Sequence, residues 1–483
     1  MSQSLPAKAD VRQLRTQAKE LLRSLQTTNP TAKLADAQWE IAKQYGFASW
    51  PKLVAEVETP ALIERMKSSI ERGDAEELDR LLRRKPALRK QLNEPMFGFD
   101  SPPILRASGH REAARLLPVL VRHGADPNGR SRWWAGGFGP LEGATPEVAE
   151  LLLGLGAKHD VWSASAHGRL DVLRELLDRE PALVNAPGGD GETPLHFAKT
   201  AEVAIFLIDR GADLEQRDVD HESTPAQYQV GNLEVLRVLI DRGAKPDVFI
   251  AAVLDDVPML RAILRDDPEA AVAAVGKAPF TTFKSNGGHI YAYKLGPGKT
   301  PHLVAAEHGS LQVLRELERT TPPIHTLLAA AWVGDEATVR RLRGAEIGSD
   351  YANAVAMAAQ HGRTEAVRLL LDAGFDPMAT GMDSGTSLHL ACWFGHADIV
   401  RLLVSRVPLD LPDANHGSPP LGWACHGAQW CRNAKGDYVA VVETLLDAGA
   451  DPNAPANSEG TPMLKQAGDR DDVKAVLKRH GAV

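Results

Sequence analysis

One phrase recurs along this chain: a polar turn, a Thr-Pro-Leu-His-like step, an Ala-rich helix, a Leu-rich helix, and then Gly-Ala-Asp. Clear openings read Gly191-Glu192-Thr193-Pro194-Leu195-His196-Phe197-Ala198 and Gly385-Thr386-Ser387-Leu388-His389-Leu390-Ala391. Clear closings read Leu239-Ile240-Asp241-Arg242-Gly243-Ala244 and Leu445-Leu446-Asp447-Ala448-Gly449-Ala450-Asp451-Pro452-Asn453. The period is about 33 residues. Units of this kind bury their apolar layer by stacking, each against its neighbours alone. That constraint sets an all-α array before composition is consulted, and it leaves the function open.

The wording has a physical logic. In the unit from Gly191, the Thr193 hydroxyl is placed to accept from the first helical amides, and Pro194 follows where a missing N–H costs nothing. Ala198 lets neighbouring pairs approach, Leu207 and Ile208 fill the layer between units, and Gly211 suits a left-handed helix end. With these roles filled, His196 and His389 read as structural. From about Ala61 to the end the chain resembles ankyrin repeats. The resemblance implies an ankyrin-repeat solenoid of helix pairs with projecting β-turn or hairpin fingers, roughly a dozen units long.

Residues 1–58 read as a helical leader and 59–483 as the array, with insertions near 130–143, 277–299 and 427–437. Val11, Leu14, Ala18, Leu21, Leu22 and Leu25 form one helical face, and a second helix is expected near Asp36–Tyr45. Phe47, Trp50 and Leu53 add a bulky apolar surface that should dock on the first repeat. Ala37-Gln38-Trp39-Glu40-Ile41-Ala42 and Tyr45-Gly46-Phe47-Ala48-Ser49-Trp50-Pro51 resemble the leader of a group of bacterial ankyrin-repeat proteins. That resemblance implies the fold and, by analogy, partner binding. It brings no common activity.

Composition excludes several classes. A net charge of −8 argues against a general nucleic-acid binder and gives no attraction to an anionic membrane. No apolar run approaches the roughly 18 residues of a membrane span, and Met1–Asp10 lacks a signal-peptide core. Three cysteines in 483 residues make no disulfide framework. A cytoplasmic monomer is the expectation.

Binding residues are expected where the inner helices face the groove. The slots before the glycine of each Ala-Ala-x-x-Gly phrase give a stripe of His308, Trp332, His361, Trp393 and His426. Indoles and imidazoles combine rigid area with polar handles. The first insertion brings Trp133 and Trp134 among glycines. The second has β-prone runs around Asn286-Gly287-Gly288, a hairpin signal that would gather His289, Tyr291, Tyr293 and Lys299. The third carries Trp423, His426 and Trp430, and is the segment stacking explains least.

Catalytic signals are sparse. Gly296-Pro297-Gly298-Lys299-Thr300 imitates a phosphate loop, but Tyr293 stands where its first glycine belongs. Cys425, His426 and Cys431 match no metal spacing, so neither a metal nor a cofactor is expected. Cys392 and Cys425 fill equivalent small-residue slots of adjacent units. The remaining candidates are Asp220-His221-Glu222 at a turn tip, as acid and base, and His302, which sits in a normally apolar slot. Two functions follow. The first is a scaffold that binds a protein or peptide partner along a concave groove. The alternative is a small-molecule-binding protein or a hydrolase/lyase-type enzyme, its pocket walled by residues 277–299 and 415–438.

Overall fold

The computed structural model describes residues 5, 6, 9–431 and 433–483. Residues 1–4, 7 and 8 of the expected leader, and Arg432 of the third insertion, lie outside them. The described residues form twenty-seven α-helices joined by short 3-10 turns, without a strand. They divide into two compact units. The first is Met1–Lys245 with Thr282–Ile290, and the second is Pro246–Thr281 with Tyr291–Val483.

The first unit opens on helices Val11–Thr28, Leu34–Gln44 and Trp50–Glu71. Asp10 caps the first by accepting from the Arg12 amide. Leu14, Ala18, Ile41, Ala42 and Leu53 form their shared core, with Tyr45, Phe47 and Trp50 packed on it. Trp50–Glu71 runs without a break past residue 58, so one helix gives Leu53 to that core and Met66 and Ile70 to the next. In the second unit one core runs from Leu303 to Leu477 through helices such as Pro323–Val333, Ser387–Phe394 and Pro420–Trp430.

The recurring Thr-x-x-His phrase works differently from a simple N-cap. The His196 Nδ1 accepts from the Thr193 amide at 3.0 Å and contacts the Thr193 hydroxyl at 2.9 Å. Its Nε2–H then donates to the Ser223 carbonyl of the following unit at 3.2 Å. His389 repeats the pattern with Thr386 (3.2 and 2.8 Å) and the Leu411 and Ser418 carbonyls. The imidazole satisfies the threonine's own amide from three residues on, as the second half of a capping box does, and it ties one unit to the next. Gly211 and Gly449, at φ 93° and 102°, end their helices in the left-handed region that admits glycine without strain.

The expected β-hairpin at 277–299 is absent. Residues 282–290 form an irregular loop, and Tyr291–Lys294 is a single helical turn. The amides that would pair across a hairpin find acceptors on the turn Asp218–Ser223 instead. Phe283 and Lys284 donate to Glu222 at 3.0 and 2.6 Å, and Ile290 to the Ser223 hydroxyl at 3.2 Å. With its backbone satisfied this way, the loop has nothing to gain from a strand ladder.

Helix Pro420–Trp430 owes its seat to two glycines. A Cβ on Gly427 would lie 2.3 Å from the Trp393 carbonyl oxygen, and one on Gly422 would lie 2.4 Å from that of Ala456. Gly427→Ala should therefore lower stability by about 1–3 kcal/mol despite the better helix propensity of alanine. Urea unfolding of the full chain checks this. An unchanged midpoint would mean the helices separate without cost.

Candidate functional site

In the second unit the sequence-selected rings form two groups of contacts. In the first, the Trp332 indole donates to Glu307 at 2.8 Å, and Lys299 pairs with the same carboxylate at 2.6 Å. Arg363 lies over the Trp332 ring at 5.2 Å, and His361 meets its edge at 5.5 Å. His308 is exposed on the helix that carries Glu307. Glu307, which organises this group, belonged to the same exposed slot as His308 but was not singled out by sequence.

The second group is Trp393, Trp423, His426 and Trp430. Trp393 stands 5.2 Å from His426 and 6.1 Å from Trp423, edge to face, and His426 is 6.5 Å from Trp430. Trp423 is buried and its indole donates to Asp413 at 2.8 Å. Burial pushes the Asp413 carboxyl up. That indole and the amides of His416, Ser418 and Asn415 outweigh it and hold the group below the usual carboxylate range. Trp430 is 69% exposed.

Around Trp393, Trp423 and His426 opens a cavity of about 490 Å³. Its polar side comes from turn tips: Asp383, Asn415, His416, Ser458 and Glu459. Asn415 and His416 belong to the expected 415–438 wall, whereas Asp383, Ser458 and Glu459 were not selected by sequence, although they occupy the tip position that drew attention to Asp220. Of the two expected walls, 415–438 is present and 277–299 contributes no lining residue. Tyr291 is instead core, with its hydroxyl on Asp247 at 2.8 Å and its ring against Phe249 and Phe280. Tyr293 is exposed, while His289 is buried and belongs to the first unit.

The Asp220-His221-Glu222 tip lies in the first unit and is held from several sides. His221 Nδ1 donates to the Gly288 carbonyl at 2.8 Å, while Nε2 faces Asp190 at 3.5 Å. Burial opposes protonation of this ring, but Asp190, the Gly288 carbonyl and Asp218 overcome it and raise its pKa to about 9. A charged His221 is a poor general base at neutral pH. Glu222 is occupied by the loop amides described above, and the Ser285 hydroxyl donates to the Asp220 carbonyl. Asp190, Asp220 and His221 converge with ligand atoms within 4.8 Å of one another, a spacing a metal could use. Protonated His221 already supplies a positive charge there. The cluster was hidden in sequence because Asp190 belongs to the preceding unit.

In the first insertion Trp133 folds back against Phe99 at 5.0 Å and Trp134 at 6.0 Å, while Trp134 is exposed. Cys392 and Cys425 are buried, and burial pushes both thiols up.

The model of ankyrin repeats matches residues 161–250 and 327–413. This chain contains ankyrin repeats. It is 30% identical over 116 residues to mouse ankyrin repeat and SAM domain-containing protein 6, covering 23% of this chain and 13% of that protein. It is 35% identical over 83 residues to the probable 26S proteasome regulatory subunit p28 of Saccharomyces cerevisiae, covering 16% and 36%. Against the E3 ubiquitin-protein ligase KEG of Arabidopsis thaliana the identity is 25% over 303 residues, covering 60% and 17%. The chain thus spans only 13% of the length of the mouse relative. Among the described residues, no helix is long and apolar enough to cross a membrane.

His302 is core of the second unit rather than part of either ring group. Its Nε2 meets the Thr321 hydroxyl at 2.9 Å, and its ring stacks on His325 at 5.0 Å. Burial, helped by His325, depresses its pKa to about 3. Unfolded, the imidazole titrates near 6.5, so its contribution is complete above that pH and is lost as pH falls towards 3. Between pH 6.5 and 5 the loss is about 2 kcal/mol. His302→Leu should shrink the drop in denaturation midpoint between pH 7 and 5. An unchanged drop would mean that His302 stays neutral in both states.

Proposed function

We propose that this chain is a recognition scaffold, an ankyrin array of roughly a dozen units with a helical leader, that binds a protein or peptide partner. Ankyrin repeats generally mediate protein–protein interaction, and the scaffold reading rests on that together with one feature of the second unit. The cavity beside Trp393, Trp423 and His426 pairs an aromatic floor with a polar rim of Asp383, Asn415, His416, Ser458 and Glu459. Rigid aromatic anchors inside a polar rim are the usual anatomy of a binding hot spot. The rings are fixed before any partner arrives, Trp423 by its bond to Asp413 and Trp393 by its packing on Trp423. Little side-chain freedom is therefore lost on binding.

The same cavity supports a second reading. Its volume lies within the range of small-molecule sites, about 300–1,000 Å³. This reading is a binding site for a small molecule, or a hydrolase- or lyase-type centre, among the same lining residues.

The two readings separate experimentally. His426 is exposed, so His426→Ala should leave the thermal midpoint near wild type while weakening capture of a cross-linked protein partner about tenfold or more. Capture insensitive to both His426→Ala and Trp393→Ala would remove the scaffold reading at this site. A thermal-shift screen against metabolites tests the other. A midpoint rise abolished by Trp393→Ala would establish a small-molecule site.

A further inference from the structure

The cavity beside Trp393 and His426, about 490 Å³, carries fixed charge of one sign. Asp383 and Glu459 line it, and no lysine or arginine does. Burial, with His416 beside it, lowers the His426 pKa, so at neutral pH that ring offsets neither carboxylate. An anion entering here would meet both acids without a fixed cation to balance them.

Hydrogen bonding sorts the remaining ligands. The indoles of this unit are used differently from one another. The Trp332 N–H donates to Glu307 and the Trp423 N–H to Asp413, each at 2.8 Å. The Trp393 N–H has no acceptor among the described residues. The side-chain amides of Asn415, which is exposed, and Gln466, which is half-buried, likewise make no hydrogen bond among the described residues. The lining therefore offers an indole donor and amide donors next to amide carbonyls and carboxylates as acceptors. An ammonium or a guanidinium has donors alone and would leave the indole and amide N–H groups unmet. An apolar ligand would strip water from all of them. A hydroxyl both donates and accepts, so it can meet either kind.

The aromatic floor adds a demand on shape. Trp393 stands edge to face with both Trp423 and His426, at 6.1 and 5.2 Å. Its carbonyl accepts from the Tyr438 hydroxyl at 3.0 Å, so backbone and ring are both held, and the indole stays half-buried. A pyranose carries polarised C–H bonds on its faces and hydroxyls around its edge. The negative face of an indole attracts the first, and the mixed polar lining receives the second. We propose that this cavity binds a neutral pyranose sugar, stacked on Trp393, with its hydroxyls held by Asn415, Gln466 and the Asp383 and Glu459 carboxylates. The proposal rests on the small-molecule reading of the cavity.

The test is saturation-transfer NMR on the full chain. The probes are methyl β-glucopyranoside, methyl β-galactopyranoside, N-acetylglucosamine and maltose, compared with xylitol, glucuronate and adenosine. At least one neutral sugar should bind at millimolar concentration, with transfer strongest at its ring C–H protons. Xylitol has the hydroxyls without the ring, and glucuronate adds a negative charge; both should bind about tenfold or more weakly. Trp393→Ala should abolish sugar binding. Asn415→Ala removes an exposed side chain that makes no hydrogen bond among the described residues, so it should keep the fold and still weaken sugar binding severalfold. Binding of none of the sugars, or sugar binding untouched by both substitutions, would overturn the proposal. If a thermal shift by adenosine or another metabolite were then abolished by Trp393→Ala, the small-molecule reading would stand without the sugar. A flat response to all of them would remove both.

Discussion

A buried imidazole that bridges its own turn to the carbonyl of the next unit sets the register on which this structure depends. His196 and His389 each spend Nδ1 on the threonine three residues earlier and Nε2–H on the following unit. Burial lowers the pKa of both, to about 4 for His196, and the neutral ring is the form that can accept on one nitrogen and donate on the other. Apolar packing alone would let stacked helix pairs slide. At these two turns a directional bond from one unit to its successor removes that freedom.

Repetition explains why the ring contacts were readable. Trp332 with His361, and Trp393 with His426, touch because equal slots of successive units are brought side by side. The all-α class followed from period for the same reason, since repetition constrains packing more tightly than any single segment does. The turn-tip partners of the cavity were not readable. Asp383, Ser458 and Glu459 lie outside the selected 415–438 segment, and their tips bear no wording that distinguishes them from ordinary turns.

The hairpin failed on long-range grounds. Phe280, Tyr291 and their neighbours have strand propensity, but Phe249 offers them an aromatic core. Asn286-Gly287-Gly288 signals a two-stranded turn, yet Glu222 and Ser223 supply acceptors that no local pattern announces. His302 illustrates the reverse case. Its apolar slot was recognised, and its partner Thr321 lies at the end of the same unit, where a stacked His325 completes the enclosure. Histidines of this chain thus divide by environment: those buried with fixed partners organise packing, and those exposed on inner helices face the wall.

The loop 282–290 has a consequence for how the protein comes into being. It belongs to the first unit, yet the chain reaches it only after entering the second at Pro246. During synthesis the turn Asp218–Ser223 emerges well before the amides that satisfy Glu222 and Ser223. The first unit therefore cannot close as a contiguous N-terminal piece, and its last contacts wait until Ile290 has left the ribosome.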